Sequence, residues 1–300
     1  MKREAHIRHR VVKGQRKKQE ALHSVAIVGT GHVGTSLAKA LRTKPKGFQL
    51  HSFLASRNSD FKKLSLNGGP EVLIIAARDA DIRAVSKRAV SAAGSNLKLI
   101  VHLAGSQPPT ILPNIPRIAT LTFHPIQTFA EPSPNLFREI TFVASSESAS
   151  AIRWAQAFAE ALGATDVLVL QTDVMPLYHA TIVMGSNFIT LLESAVEDLS
   201  TMLGIAPTRL KEAMAPLART SLENAIANTA IEVLTGPIKR NDRITIQVHR
   251  KALKKAPTEI QAIYEALLQY GEKRVLRKRS SKQTPLGRPK SGRPILGKRK

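Results

Sequence analysis

Gly29, Gly31 and Gly34 fall in the stretch VAIVGTGHVGTSLAKAL, residues 25–41, at the spacing G-x-G-x-x-G. A short apolar, β-branched run precedes them and a helix-like run follows, the context in which this spacing binds a dinucleotide. Each glycine has its own task. Gly29 allows a tight turn, Gly31 lets the backbone approach a pyrophosphate, and Gly34 lets helix and strand pack closely. Thr30, His32 and Val33 complete the loop, and N–H groups at the helix start face the phosphates. The plainer alternative is a glycine-rich strand–helix turn without a ligand.

The next strand bears on which dinucleotide is held. A site for NAD ends that strand with Asp or Glu, which accepts a hydrogen bond from the ribose 2′-hydroxyl. Here the strand runs into Ala55-Ser56-Arg57-Asn58, with no acid before Asp60. A 2′-phosphate needs a cation and hydrogen-bond donors, and Arg57 with Ser56 offers both. The expected cofactor is therefore NADP(H), against the alternative that Arg57 is a solvated loop cation.

Hydride transfer also needs a proton donor near the developing anion. Tyr178, His179, Ser186 and Asn187 lie on a run readable as one helix, which puts His179 and Asn187 on one face about two turns apart. His179 is the candidate acid, because histidine ordinarily titrates near neutrality; Asn187 would orient substrate or cofactor amide. His124 stands at the end of an apolar strand, where ligands bind in open α/β sheets, and Pro125 fixes the turn after it. Both histidines have a structural alternative as hydrogen-bonded core or interface residues. Thr235, Gly236, Arg240, Asp242 and His249 make the densest polar cluster of the second half, with Asn224 on the helix before it. Arg240 and Asp242 are candidates for catalysis or for a salt bridge that pins the loop. No short-spaced ligand motif joins His102, His124, His179 and His249, so no metal site is expected.

These residues need elements to position them. SVAIVG, FQLHSFLAS, EVLIIAA, LKLIVHLAG, IATLTFHP, EITFVAS and DVLVLQ read as strands. Helix-like TSLAKALRT, DIRAVSKRAVSAA and ASAIRWAQAFAEALG alternate with them, which predicts an α/β unit with a parallel sheet. GSQPPTILPNIP is Pro-rich and should be loop. From Met175 the strand pattern stops. LYHATIVMGSNFITLLESAVEDLSTMLG reads as one long helix ending at Gly204. PTRLKEAMAPLARTSLENAIAN suggests one or two more, VLTGPIKRNDRITIQVH a polar loop, and APTEIQAIYEALLQYGEKR a last helix. The expected organisation is a basic disordered tail at 1–23, a Rossmann-like NADP-binding domain at 24–172, an all-helical domain at 173–270 and a second basic disordered tail at 271–300.

Composition excludes some classes. With no cysteine, disulfides, thiolate catalysis and cysteine zinc sites are ruled out. Aromatic residues at 4% argue against binding of single strands by stacking. The net charge of +23 resides mostly in the ends: residues 1–20 carry +6 and residues 271–300 carry +11. Two Gly-Arg-Pro units in GRPKSGRPILGKRK resemble the core of segments that insert Arg into a narrow minor groove, without the full flanking pattern. Nonspecific attraction to nucleic acid, or simple solvation, is the expected role of such tails. No run of about 18 apolar residues predicts a membrane span, and the N-terminus lacks the apolar stretch of a secretory signal. The expected location is the cytoplasm.

The motifs FHPIQTF (123–129), LYHATIVMGSNF (177–188) and LENAIANTAIEVLTGPIKRNDRITIQVH (222–249) resemble an uncharacterised bacterial branch of Rossmann-like proteins with a C-terminal domain of unknown function. That branch belongs with pyrroline-5-carboxylate reductase, ketopantoate reductase, the deazaflavin-linked NADP oxidoreductases and the 6-phosphogluconate dehydrogenase group. The resemblance spans about residues 24–270. It implies a Rossmann half, a helical half that forms a homodimer, and a nicotinamide cofactor, but no substrate. Two departures matter. The family's polar loop reads G-P-x-x-R-G-D, and Asn241 stands here at the second glycine; Asn tolerates the left-handed conformation better than most residues. The hydroxyacid branch sets a Lys beside an Asn on its first long helix, whereas this chain has no lysine between Lys98 and Lys211. The expected function is NADP(H)-dependent oxidoreduction of a small polar substrate. A catalytically silent dinucleotide-binding regulator, which the missing lysine favours, is the alternative, and nucleic-acid association through the tails is a third.

Overall fold

The computed structural model describes residues 22–57 and 61–283. The expectations for the tails at 1–21 and 284–300, and for Asn58 and Asp60, lie outside the described residues. The chain divides into two compact units between Gly185 and Ser186, thirteen residues beyond the expected junction after residue 172.

The first unit is built on seven strands, β1 (His23–Val28), β2 (Phe48–Leu54), β3 (Val72–Ile75), β4 (Leu99–His102), β5 (Ala119–Pro125), β6 (Thr141–Ser145) and β7 (Asp166–Val169). Their order in the sheet is β2-β1-β3-β4-β5-β6-β7. All neighbours run parallel except β5 and β6. The parallel sheet expected from the sequence is present, with this one antiparallel pair in it. Between Pro125 and Thr141 the chain has only a Pro-rich loop with one short helical turn, and an antiparallel return needs no helical crossover.

Both faces of the sheet are covered. Val25 and Ile27 point into one core with Leu37, Leu41, Trp154 and Phe158, while Ala26 and Val28 point into the other with Ile82, Val85 and Ala89. Helices α1 (His32–Arg42) and α3 (Ala149–Leu162) therefore pack on one face and α2 (Ile82–Ala92) on the other. A strand buried on both sides reads as a continuous apolar run, as SVAIV does. α3 starts at Ser148, whose hydroxyl accepts from the Ala151 N–H, and stops at left-handed Gly163, a glycine stop at the helix end. α4 (Met175–Gly185) closes this unit.

The second unit is helical, with α5 (Asn187–Met202), α6 (Pro207–Ala227), α7 (Ala230–Val233), α8 (Gly236–Arg240), α9 (Arg243–Leu253) and α10 (Thr258–Gln283). Three local expectations are corrected. The long helix is broken at Ser186, with φ −134° and ψ −70°. Gly185 before it is a costly residue in a helix, and the two halves differ in pattern: MPLYHATIVMG is apolar nearly throughout, whereas the second half carries Glu193, Glu197 and Asp198. The polar loop at 233–249 is largely α8 and α9, joined by left-handed Asn241 at φ 58°, ψ 41°. Finally, residues 271–283 are not a disordered tail but the end of α10. Lys and Arg are good helix formers, and Leu268 and Val275 on that helix are buried. Among the described residues no helix is long and apolar enough to cross a membrane.

Candidate functional site

Because β1 to β5 run the same way, their carboxyl ends form one edge. The glycine turn occupies the end of β1. Gly29 has φ +131°, and a side chain there would overlap the Ala76 carbonyl; one on Gly34 would overlap the Gly29 carbonyl and lie 3.0 Å from Ala76 Cβ. Gly31 differs, with an ordinary extended conformation and no atom within 4 Å of an added Cβ. Two glycines are thus fixed by packing, and the third fronts open space at the start of α1, which has no side-chain cap. This is the arrangement a pyrophosphate needs. Thr30 and Val33 lie in the turn, and the His32 ring bonds the Phe129 carbonyl at 2.8 Å. His32 therefore anchors the loop after β5 to α1. Ser36 does the same by accepting from the Ser133 N–H.

Arg57 and Ser56 follow β2, beside β1. Arg57 Nη2 lies 3.6 Å from Asp81, which Arg78 holds at 2.8 Å. The hydrogen bond from Arg78, first among its causes, lowers the Asp81 pKa.

On the other side of β1, the ends of β4, β5 and α4 bring three rings together. His124 Nδ1 and the Tyr178 hydroxyl are 2.7 Å apart, and the His124 and His179 ring centroids are 5.8 Å apart at 81°. The Gly105 backbone lies against both imidazoles: an added Cβ would meet His179 Cδ2 at 2.7 Å and His124 Cδ2 at 2.9 Å. Burial, followed by repulsion from His179, pushes the His124 pKa down to about 4. Burial raises Tyr178 to about 12. At neutral pH the pair is a neutral imidazole hydrogen-bonded to a protonated phenol. Nearby, the Ser106 hydroxyl donates to Asp79 at 2.7 Å.

His102 is wholly buried at the end of β4 and belongs to the scaffold. Its Nδ1 accepts from the Ala104 N–H, while Nε2 faces the Pro108 carbonyl at 3.2 Å and Thr122 Oγ1 at 2.9 Å. The Thr122 hydroxyl donates to the Gln107 carbonyl, so Nε2 carries the hydrogen. The ring ties the Pro-rich loop to the sheet. Burial holds its pKa at about 4, below the ordinary 6.5. A depressed histidine contributes stability that is full above about 6.5 and is lost as pH falls toward about 4. Between pH 7 and pH 5 urea unfolding should lose about 2 kcal/mol through His102. In His102→Gln that part of the pH dependence should vanish.

Placement of the remaining candidates is mixed. His124 and His179 meet, but His179 and Asn187 are not on one helix, because the break at Ser186 separates them and Asn187 begins α5 in the second unit. Asn187 Oδ1 instead accepts from the Ser186 hydroxyl at 3.0 Å. In the second unit Asp242 caps α9, accepting from the Thr245 N–H at 3.0 Å and the Thr245 hydroxyl at 2.7 Å. These bonds, the backbone one first, lower its pKa, and the charge of Arg240 lowers it further. Asp242 is thus a structural cap, and Thr245, not Arg240, is its hydrogen-bonded partner. His249 pairs with the Tyr264 hydroxyl at 2.9 Å. Thr235 precedes α8, Gly236 adopts φ +81°, and the Asn224 carbonyl accepts from Asn228. Arg78, Asp79, Asp81, Gly105 and Ser106 were missed from the sequence. The available signal was position alone: they follow EVLIIAA and LKLIVHL at strand ends.

Residues 140–270 match the family model of a domain of unknown function (DUF2520). The match covers less than half of the chain, and the Rossmann-like sheet begins well before it. The match begins at the end of the β5–β6 loop, so it includes β6, α3 and β7 as well as most of the helical unit. No curated protein matches the sequence. Among solved structures, the fold is similar to a candidate NADP oxidoreductase of Bacteroides fragilis (21% identity, TM-score 0.67, 84% of this chain and 98% of that one). It is also similar to a protein of Thermotoga maritima (19%, TM-score 0.62, 85% and 99%). A third is the pyrroline carboxylate reductase of Plasmodium falciparum with NADP bound (13%, TM-score 0.52, 84% and 98%). What is shared with these structures is the fold, a Rossmann-like sheet followed by helices.

Proposed function

We propose that this protein is an NADP(H)-dependent oxidoreductase acting on a small polar carbonyl or imine compound. The observation that carries the reading is the order of groups along one sheet edge. Arg57 follows β2, the open glycine turn follows β1, and the neutral His124–Tyr178 pair closes β5. From β2 to β5 is four strand spacings, about 19 Å. A dinucleotide laid along that edge has its phosphates on the turn and its ring end near β5. The NADP-bound reductase among the similar structures supports the same reading.

Bound nicotinamide would supply or accept the hydride. The residues here handle the proton. With the hydrogen of neutral His124 on Nδ1, the imidazole donates to the Tyr178 oxygen and leaves the phenolic hydrogen for the substrate. As Tyr178 gives that proton to the reduced oxygen or nitrogen, the Nδ1–H of His124 stays on the ring and stabilises the phenolate by its hydrogen bond. Solvent then returns a proton to Tyr178. In this reading His179, beside Gly105, holds the substrate in contact with this pair.

Calorimetric titration of the full chain with NADPH and NADH tests the cofactor. NADPH should bind, and Arg57→Ala should weaken it about 10–100-fold without changing NADH, the size expected for hydrogen bonds between charged groups. Equal loss of both, or binding of neither, would remove the assignment. A homodimer is part of the proposal, located in the cytoplasm where soluble nicotinamide dinucleotides are available. Leu191, Leu192, Leu217, Leu222 and Ile226 of α5 and α6 are exposed, and large exposed apolar surface marks an interaction site. Sedimentation equilibrium should give twice the mass of the chain.

A further inference from the structure

The charged cluster beside the glycine turn contains more than Arg57. Arg78 leaves the end of β3 and Arg57 follows the end of β2, so the two come from the strands on either side of β1. Both guanidinium groups reach the same atom, Asp81 Oδ2. Arg78 donates to it from Nε at 2.9 Å and lies 2.8 Å away through Nη2, while Arg57 Nη2 stands at 3.6 Å. The longer contact is the weaker of the two and involves Nη2 alone, so it leaves the other Arg57 donors to a ligand. Both arginine side chains are about 70% exposed, at 69% and 71%.

Two guanidinium groups drawn onto one carboxylate leave an excess positive charge at close quarters. That excess of one charge draws an anion, and a phosphate monoester brings about −1.5 to −2 charge at neutral pH with three acceptor oxygens, enough for both arms to bond it at once. The planar fork of each arginine suits such an anion. Asp81 is a carboxylate beside the same arginines, but Arg78 holds its Oδ2 with two N–H groups.

Resting on the NADP reading above, we infer that Arg78 and Arg57 form a two-armed clamp for the ribose 2′-phosphate, with Asp81 as the internal counter-ion that holds the arms together and competes with the ligand. Arg78 is then a determinant of cofactor preference, contributed by a different strand from the arginine visible in the sequence.

The test is titration of the full chain and three variants with NADPH, NADH and adenosine 2′,5′-bisphosphate. Arg78→Ala should weaken NADPH and the bisphosphate about tenfold or more and leave NADH unweakened, since the Asp81 carboxylate becomes available to a hydroxyl. Asp81→Asn should tighten both phosphate ligands several-fold, because the competing charge is gone, and leave NADH unchanged. A loss for NADPH in Arg57→Ala alone, with Arg78→Ala unaltered, overturns the clamp and keeps the NADP reading. Equal weakening of NADPH and NADH by Arg78→Ala assigns that residue a structural role and also overturns it. Weaker NADPH binding in Asp81→Asn overturns the counter-ion role. Binding of neither dinucleotide by the unaltered chain removes the NADP reading and the clamp together.

Discussion

Gly31→Val is expected to abolish dinucleotide binding while leaving the protein folded. The Gly31 backbone lies at φ −67° and ψ 179°, which any residue adopts, and its Cβ would meet no atom within 4 Å. A valine there costs the fold little, but it fills the space where a pyrophosphate must approach the N–H groups of α1. NADPH affinity should fall at least ~100-fold, since several hydrogen bonds to a charged group are lost together, with the melting temperature nearly unchanged. Gly34→Val is the opposite case. Its side chain would overlap the Gly29 carbonyl and crowd Ala76, forcing α1 away from β1. Overpacking of this kind costs about 1–3 kcal/mol or more, and in a protein of this size each kcal/mol lowers the melting temperature by about 2–4 °C. Calorimetry and thermal melts on the two variants separate a ligand cradle from a packing turn. If Gly31→Val keeps NADPH affinity, no dinucleotide sits on the turn.

The second large effect concerns the proton. Tyr178→Phe keeps the ring against His124 and removes only the hydroxyl 2.7 Å from Nδ1. With any carbonyl or imine substrate found by following NADPH oxidation, kcat should fall about 10²–10⁴-fold, the usual contribution of a positioned proton donor, at unchanged NADPH affinity. His124→Gln should lower kcat in the same way. The pH profile gives an independent check. His124 is held neutral, with its pKa at about 4, so its protonation removes activity only as pH falls toward that value. The Tyr178 limb lies toward about 12. Activity governed by this pair is therefore flat from about pH 5 up to the Tyr178 limb, with no acid limb at the ordinary histidine value of about 6.5. Full activity in Tyr178→Phe would show that the proton comes from elsewhere.

The sequence alone determined what local pattern controls. Apolar runs such as SVAIVG and EVLIIAA marked the central strands, because a strand buried on both faces must be apolar throughout, whereas the edge strands β2 and β7 are more exposed. The role of each glycine in the turn was legible, because G-x-G-x-x-G has a local geometric meaning. Asn241 was expected to preserve the turn after Arg240 and does so in the left-handed region, again a local matter of backbone sterics. Partnerships across the chain were not legible. His124 and Tyr178 are 54 residues apart, and only the packing of α4 on the edge of the sheet joins them. Arg78 meets Arg57 through Asp81 because β3 and β2 flank β1. Asp242 read as half of a charge cluster, yet the start of α9 left orphan N–H groups and the carboxylate capped them. His179 and Asn187 read as one face because periodicity carries no signal for a break that Ser186 makes in three dimensions. Local preferences fix strands and turns within a few residues, whereas hydrogen-bond partners and charge neighbours are chosen by which strand lies beside which, and that is decided only when the whole sheet forms.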